Sequence, residues 1–121
     1  MNVRGIRGAT TVKSNQAEEI LAATRQLLQA IQAANPSLHL ADLAGAWFSL
    51  TEDLDAAYPA QAARELGWTA VPSLCTCEIP VPGSLPHCIR VLLQWNTDLL
   101  QSEIHHVYLR EAVSLRPDLI G

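Results

Sequence analysis

Between Gln16 and about Asn35, Ile20, Leu21, Thr24, Leu27, Leu28 and Ile31 recur three and four positions apart, with Gln, Glu and Arg between them. That period predicts an amphipathic helix with one face against a core. Asn15 stands three residues before Glu18, the spacing of a capping box, and Asn35-Pro36-Ser37 ends the helix. Ahead of it, Asn2 to Val12 alternates β-branched and small residues, as a strand does where backbones approach closely.

The rest of the chain changes period. Leu43 to Leu50 (LAGAWFSL) and Cys88 to Trp95 (CIRVLLQW) are short apolar runs that predict buried strands. Pro59 suits the first turn of a second helix that Gly67 stops after Leu66. Trp68 to Ile79 reads as a strand broken by Pro72, hence at an edge or bulged, and a Pro- and Gly-rich loop follows it. His105 to Leu109 is a shorter strand, Glu111 to Leu115 is ambiguous, and Pro117 and Gly121 suggest a loose tail. Two helices and about five strands in the order βαβαβββ point to an α+β or α/β sandwich with helices on one sheet face.

The 121 residues fit a single domain over 1–121, without repeat, low-complexity stretch or linker. An apolar fraction of 49% with 17% charged residues describes a folded chain rather than a disordered one. Net charge is −4, which offers no attraction to nucleic acid or an anionic membrane. Seven of the eight basic residues are arginine, the side chain whose planar fork grips carboxylates through two hydrogen bonds. A genome rich in G and C would produce the same bias. Three cysteines, no leader-like segment and no run able to span a bilayer fit a reduced, cytoplasmic protein.

Some residues sit where packing alone does not want them. Arg90 lies inside an apolar strand and needs either an acid partner, with Glu78 the obvious one, or an anionic ligand. Arg7 stands between Ile6 and Gly8, where small neighbours leave room for a ligand or for close strand packing. In Leu74-Cys75-Thr76-Cys77-Glu78, regular pairing turns Cys75 and Cys77 to one face and Glu78 to the other. A metal site drawing on His87, Cys88, His105 and His106 is conceivable, but C-x-C is not zinc-knuckle spacing, and no pattern marks an activating base for a thiol. Tyr108 could offer a phenol to a carboxylate or simply pack. Arg116-Pro117-Asp118 could form a basic flap or a frayed end.

Taken together and in order, these segments resemble the monofunctional trimeric chorismate mutases of Bacillus-type and cyanobacterial sources. The resemblance is carried by Arg4-Gly5-Ile6-Arg7-Gly8-Ala9-Thr10-Thr11-Val12, by Tyr58-Pro59-Ala60 with Arg64-Glu65-Leu66, and by Val71-Pro72 with Cys75 and Glu78. Cys88-Ile89-Arg90-Val91, His106-Val107-Tyr108-Leu109 and Ala112-Val113 leading to Leu115-Arg116-Pro117-Asp118-Leu119 complete it. It implies a homotrimer with a barrel-like sheet core, clefts shared between subunits, and a cofactor-free, metal-free [3,3] rearrangement of chorismate to prephenate. By that similarity Arg7 and Tyr108 hold a substrate carboxylate, and Arg90 reaches the ether oxygen and also a carboxylate. Glu78 and Cys75 meet the ring hydroxyl region, and backbone groups from Leu74 through Thr76 and Cys77 to Glu78 line the pocket. Tyr58, Ala60, Arg64, Leu115 and Arg116 close over the site from mobile loops.

The chain departs from the family pattern in places. Gln61 stands where members carry a lysine, Leu74 replaces a more polar residue, Tyr58 stands for a phenylalanine, and Leu66-Gly67-Trp68 is one residue tighter. None of these removes a charge assigned to the chemistry. Small trimers of similar architecture include imine-hydrolysing and ligand-sensing proteins with an interface arginine. A binding trimer would need Arg7 but not the Arg90 and Glu78 pair.

Overall fold

A computed structural model describes residues 1–115. Five strands form one mixed sheet: β1 (Asn2–Thr11), β2 (Leu43–Leu50), β3 (Ser73–Cys77), β4 (Cys88–Thr97) and β5 (Val107–Tyr108). Their spatial order is β3-β2-β4-β1-β5. β4 pairs antiparallel with both β1 and β2, while β3 joins β2 and β5 joins β1 in parallel. Two α-helices, α1 (Ala17–Ala34) and α2 (Pro59–Glu65), pack on the same side. The expected α+β architecture and its mixed sheet are therefore present.

Alternation along the strands divides the sheet into two unlike faces. On β4, Ile89, Val91, Leu93 and Trp95 are buried, and on β2 so are Ala46, Phe48 and Leu50. Leu27, Leu28 and Ile31 of α1 and Ala60 and Ala63 of α2 meet this face. Full burial of each large aliphatic side chain contributes roughly 1.5–3 kcal/mol, so this layer is the main source of stability. The closest approach is at Gly8, where a Cβ would come within 2.8 Å of Ile31 Cδ1. The opposite face carries Arg7, Trp47, Ser49, Arg90 and Leu92; no α-helix covers it among the described residues, and only its Ala9–Cys88 end is packed, against Ala112 of the Arg110–Leu115 turn.

The sequence expectations differ from the structure at three element ends. No capping box forms at α1: its N-cap is Gln16, without a side-chain cap bond. Asn15 is occupied elsewhere, its Oδ1 accepting from the Asp55 and Ala56 N–H groups and its amide donating to Asp55. Residues 68–72 stay outside the sheet, and β3 is an edge strand that begins after Pro72. The last strand shrinks to Val107–Tyr108, and Arg110–Leu115 coils as a 3₁₀ turn. At α2 the Gly67 stop is as expected: φ is +91°, and the Trp68 N–H donates to the Ala63 carbonyl in a Schellman closure. Asn35 closes α1 by donating to the Ile31 and His105 carbonyls at 2.9 Å, which ties the helix end to the approach to β5.

Candidate active site

Strand register builds the candidate site on the open face. Thr76 pairs with Ser49, Ser49 with Arg90, Arg90 with Ala9 and Ala9 with Tyr108, one row running across all five strands. The next row runs Leu74, Trp47, Leu92 and Arg7. Between and above them lies a cleft of about 540 Å³, bordered by Arg7, Glu78, Arg90, Tyr108 and Leu115 with Trp47, Ser49 and Thr76. The small side chains of Ser49 and Ala9 flank Arg90 and leave its guanidinium room to stand up from the sheet.

Arg90 and Glu78 face each other, with Nε 3.4 Å from Oε1. The contact is an ion pair without hydrogen-bond geometry, for Arg90 Nε is buried and has no hydrogen-bond partner. Such a donor is an unfilled demand for an acceptor. Arg7 lies across the cleft, its backbone N–H donating to His106 Nδ1 at 2.9 Å. Tyr108 is buried at the cleft wall. The cleft thus presents two guanidiniums and one carboxylate around a partly apolar floor, an arrangement suited to an anionic organic molecule.

Beneath Arg90, Cys88 is fully buried with Ala9, Tyr108 and Ala112. Burial pushes its thiol up, against the opposing pull of the Arg90 charge. It is therefore a packed neutral thiol and not a nucleophile. Cys75 packs half-buried against the helix-side core and Cys77 is exposed, the same-face placement expected from their spacing. All three cysteines are free, and no group of three or more His, Cys, Asp or Glu side chains able to hold a metal occurs among the described residues.

The remaining expected site residues do not reach this cleft within one chain. Tyr58 is exposed just before α2, and Ala60 and Arg64 lie on α2 rather than in a loop, on the helix side of the sheet. Ala60 is buried in the core. Leu74 is exposed on the open face beyond Trp47, in the edge row. Arg116 lies outside the described residues. The sequence reading missed Trp47, Ser49, Ala9 and Leu92. The signal available was the alternate set of positions in β2 and β4, which puts Trp47, Ser49 and Leu92 on the face away from the core. A larger cleft of about 820 Å³ between Lys13, Glu19, His87 and Arg110 contains none of the expected residues.

The family model for chorismate mutase type I matches residues 3–119. The chain belongs to this family. It is 56% identical to the chorismate mutase AroH of Thermus thermophilus over 97% of this chain and 96% of that one. It is 49% identical to the chorismate mutase AroH of Bacillus subtilis over 98% of this chain and 94% of that one. A solved chorismate mutase from Clostridium thermocellum superposes with a TM-score of 0.88 at 49% identity, covering 91% of this chain and 97% of the other. The chorismate mutase fold of this chain keeps its candidate charges on the open sheet face and its hydrophobic bulk on the other. No helix among the described residues is long and apolar enough to cross a membrane.

Proposed function

We propose that this chorismate mutase, an isomerase of aromatic amino acid biosynthesis, rearranges chorismate to prephenate in the open-face cleft, without metal, cofactor or covalent intermediate. The observation that carries the reading is the Arg90–Glu78 pair, 3.4 Å apart beside an unsatisfied Arg90 Nε–H, with Arg7 and Tyr108 across the same cleft. In the rearrangement the ether C–O bond breaks as the new C–C bond forms, within one molecule and with no proton transfer. C–O stretching runs ahead, so negative charge gathers on the ether oxygen and positive charge on the ring. Arg90 donates to that oxygen, and Glu78 faces the ring. Charges already in place need no reorientation as the charge separation grows, which is usually the largest catalytic contribution. Arg7 and Tyr108 hold a substrate carboxylate and select the folded conformer that brings the reacting carbons together. Thr76 and Leu115 complete the walls, with the backbone from Leu74 through Cys77 along one edge.

The same reading makes the working unit a homotrimer with the open faces turned inward around a barrel-like core. Leu74, Trp47 and Leu92 form an apolar stripe across β3, β2 and β4; each is more than 40% exposed. Contiguous exposed apolar surface of this kind is normally covered by a partner. Tyr58 and Arg64 stand exposed on the helix side, and in this reading they complete a neighbour's cleft. Ala60 and Cys75, held against their own core, would contribute through backbone position. Residues 1–121 act as one domain, in the cytoplasm, with chorismate as ligand and neither nucleic acid nor membrane as partner.

The test is to follow the loss of chorismate's diene absorbance with purified protein in chelator-treated buffer and to identify the product. Conversion to prephenate is expected. A folded protein that leaves chorismate unchanged would refute the reading and favour a ligand-binding trimer.

A further inference from the structure

The loop 79–87 joins Glu78 to the start of β4 and so connects the two opposed charges of the cleft. Both its ends are fastened to one short segment, Leu50 to Asp53. At the first end, the Glu78 N–H donates to the Leu50 carbonyl at 2.8 Å. At the other, the Thr51 N–H donates to the Cys88 carbonyl at 3.1 Å, and the Cys88 N–H donates to Thr51 Oγ1 at 3.0 Å. Asp53 completes the clasp. Its carboxylate accepts from the Thr51 hydroxyl and from the His87 N–H, the latter at 3.0 and 3.2 Å to its two oxygens.

His87 is held in a conformation it would not choose. Its φ is +50°, in the left-handed region that a side chain with a Cβ rarely occupies. Such a residue keeps its conformation only where its surroundings over-determine it. Here those are the Asp53 carboxylate on its N–H and the Val12 N–H on its carbonyl at 3.0 Å. Cys88, Ile89 and Arg90 follow directly, so the bend at His87 fixes where β4 begins.

We infer that Asp53 is a positioning residue for the Arg90–Glu78 pair: by clamping His87 and Thr51 it sets the entry of β4 and thereby the place of the Arg90 guanidinium opposite Glu78. The inference rests on the reading of the cleft as the site of chorismate rearrangement. Consistent with a working acceptor, Asp53 stays below the ordinary carboxyl value: burial acts to raise it, but the Thr51 and His87 hydrogen bonds and the His87 charge outweigh that effect. Because the clamp holds both ends of the loop that joins Glu78 to Arg90, its loss should fall on turnover more than on binding.

The experiment is steady-state kinetics on chorismate for wild type, Asp53→Ala, His87→Gly and the double variant, each checked for its folded state. Asp53→Ala should lower kcat about ten- to a hundredfold, the scale of a small misplacement of a catalytic group, with a much smaller change in KM. His87→Gly should stay near wild type. The double variant should recover part of the lost kcat, because glycine takes a positive φ without being held there while the Thr51 contact stays lost. If Asp53→Ala does not fold, Asp53→Asn, which keeps the shape and one acceptor oxygen, is read in the same way. A folded variant with wild-type kcat, or one whose loss glycine at 87 does not reduce, overturns the inference while leaving the cleft reading intact. Wild type without turnover takes down both.

Discussion

Arg90 meets a structural demand in its strand and, in the proposed mechanism, a catalytic one as well. An arginine in an apolar strand needs an anion, and Glu78 supplies one at 3.4 Å. Because the contact is not a hydrogen bond and the Arg90 side chain is partly exposed, Glu78 leaves the guanidinium free to donate to the oxygen proposed as its substrate partner. In the proposed mechanism the carboxylate also faces the ring. Glu78→Ala should therefore lower kcat by at least about tenfold, as expected for losing an electrostatic contribution, while the fold survives, since Glu78 is half-exposed at a strand end. Steady-state rates beside a thermal melt would check it; an unchanged rate would move the ring-facing charge elsewhere. Thiol chemistry is a poor alternative, with Cys88 buried and protonated below Arg90.

Among the elements, β1 has the tightest constraint. Gly8→Ala would place a methyl group 2.8 Å from Ile31 Cδ1, 3.1 Å from Val91 Cγ1 and 3.2 Å from Leu27 Cδ1, in a core with no slack. The expected cost is about 1–3 kcal/mol, read as a lowered denaturation midpoint. The turn after β2 has a pH signature. Asp53 is held below its ordinary value of 3.8 in the folded chain, so its stabilisation is present above that pH and disappears as pH falls through the folded value. Asp53→Asn should melt below wild type at neutral pH, and the gap should close on acidification under pH 3.8; a gap that persists would mean ionisation is not what holds the turn. Apolar periodicity made α1, β2 and β4 legible to within about two residues, and the Pro59 and Gly67 signals did the same for α2. The capping box at Asn15 does not form because backbone N–H groups about forty residues away in sequence, those of Asp55 and Ala56, take the side-chain oxygen that a cap would use. The β5 strand came out short because two backbone pairs with β1 are all that the sheet edge supports.

In the whole molecule, the candidate site is legible only in part from a single chain. The charges Arg7, Glu78 and Arg90 with Tyr108 converge because register aligns β3, β2, β4, β1 and β5, a long-range fact that local patterns do not contain. Trp47, Ser49 and Leu92 escaped notice because an apolar run shows burial more readily than it shows which alternate residues face away. Tyr58 and Arg64 lie on the far side of the sheet, so the roles proposed for them require a site shared between chains. In random mixtures of Arg90→Ala and Arg64→Ala chains, about a quarter of the clefts of a cyclic trimer would then have both arginines intact, and activity should rise above either parent. No gain on mixing would place both residues in one chain's site or remove Arg64 from it. The most direct measurement is kcat for Arg90→Ala against wild type at saturating chorismate, with both proteins shown to be folded. A loss of about a hundredfold or more, with prephenate as the wild-type product, is the expected result for removing the donor to the ether oxygen. A folded Arg90→Ala protein that turns over chorismate at the wild-type rate would contradict it.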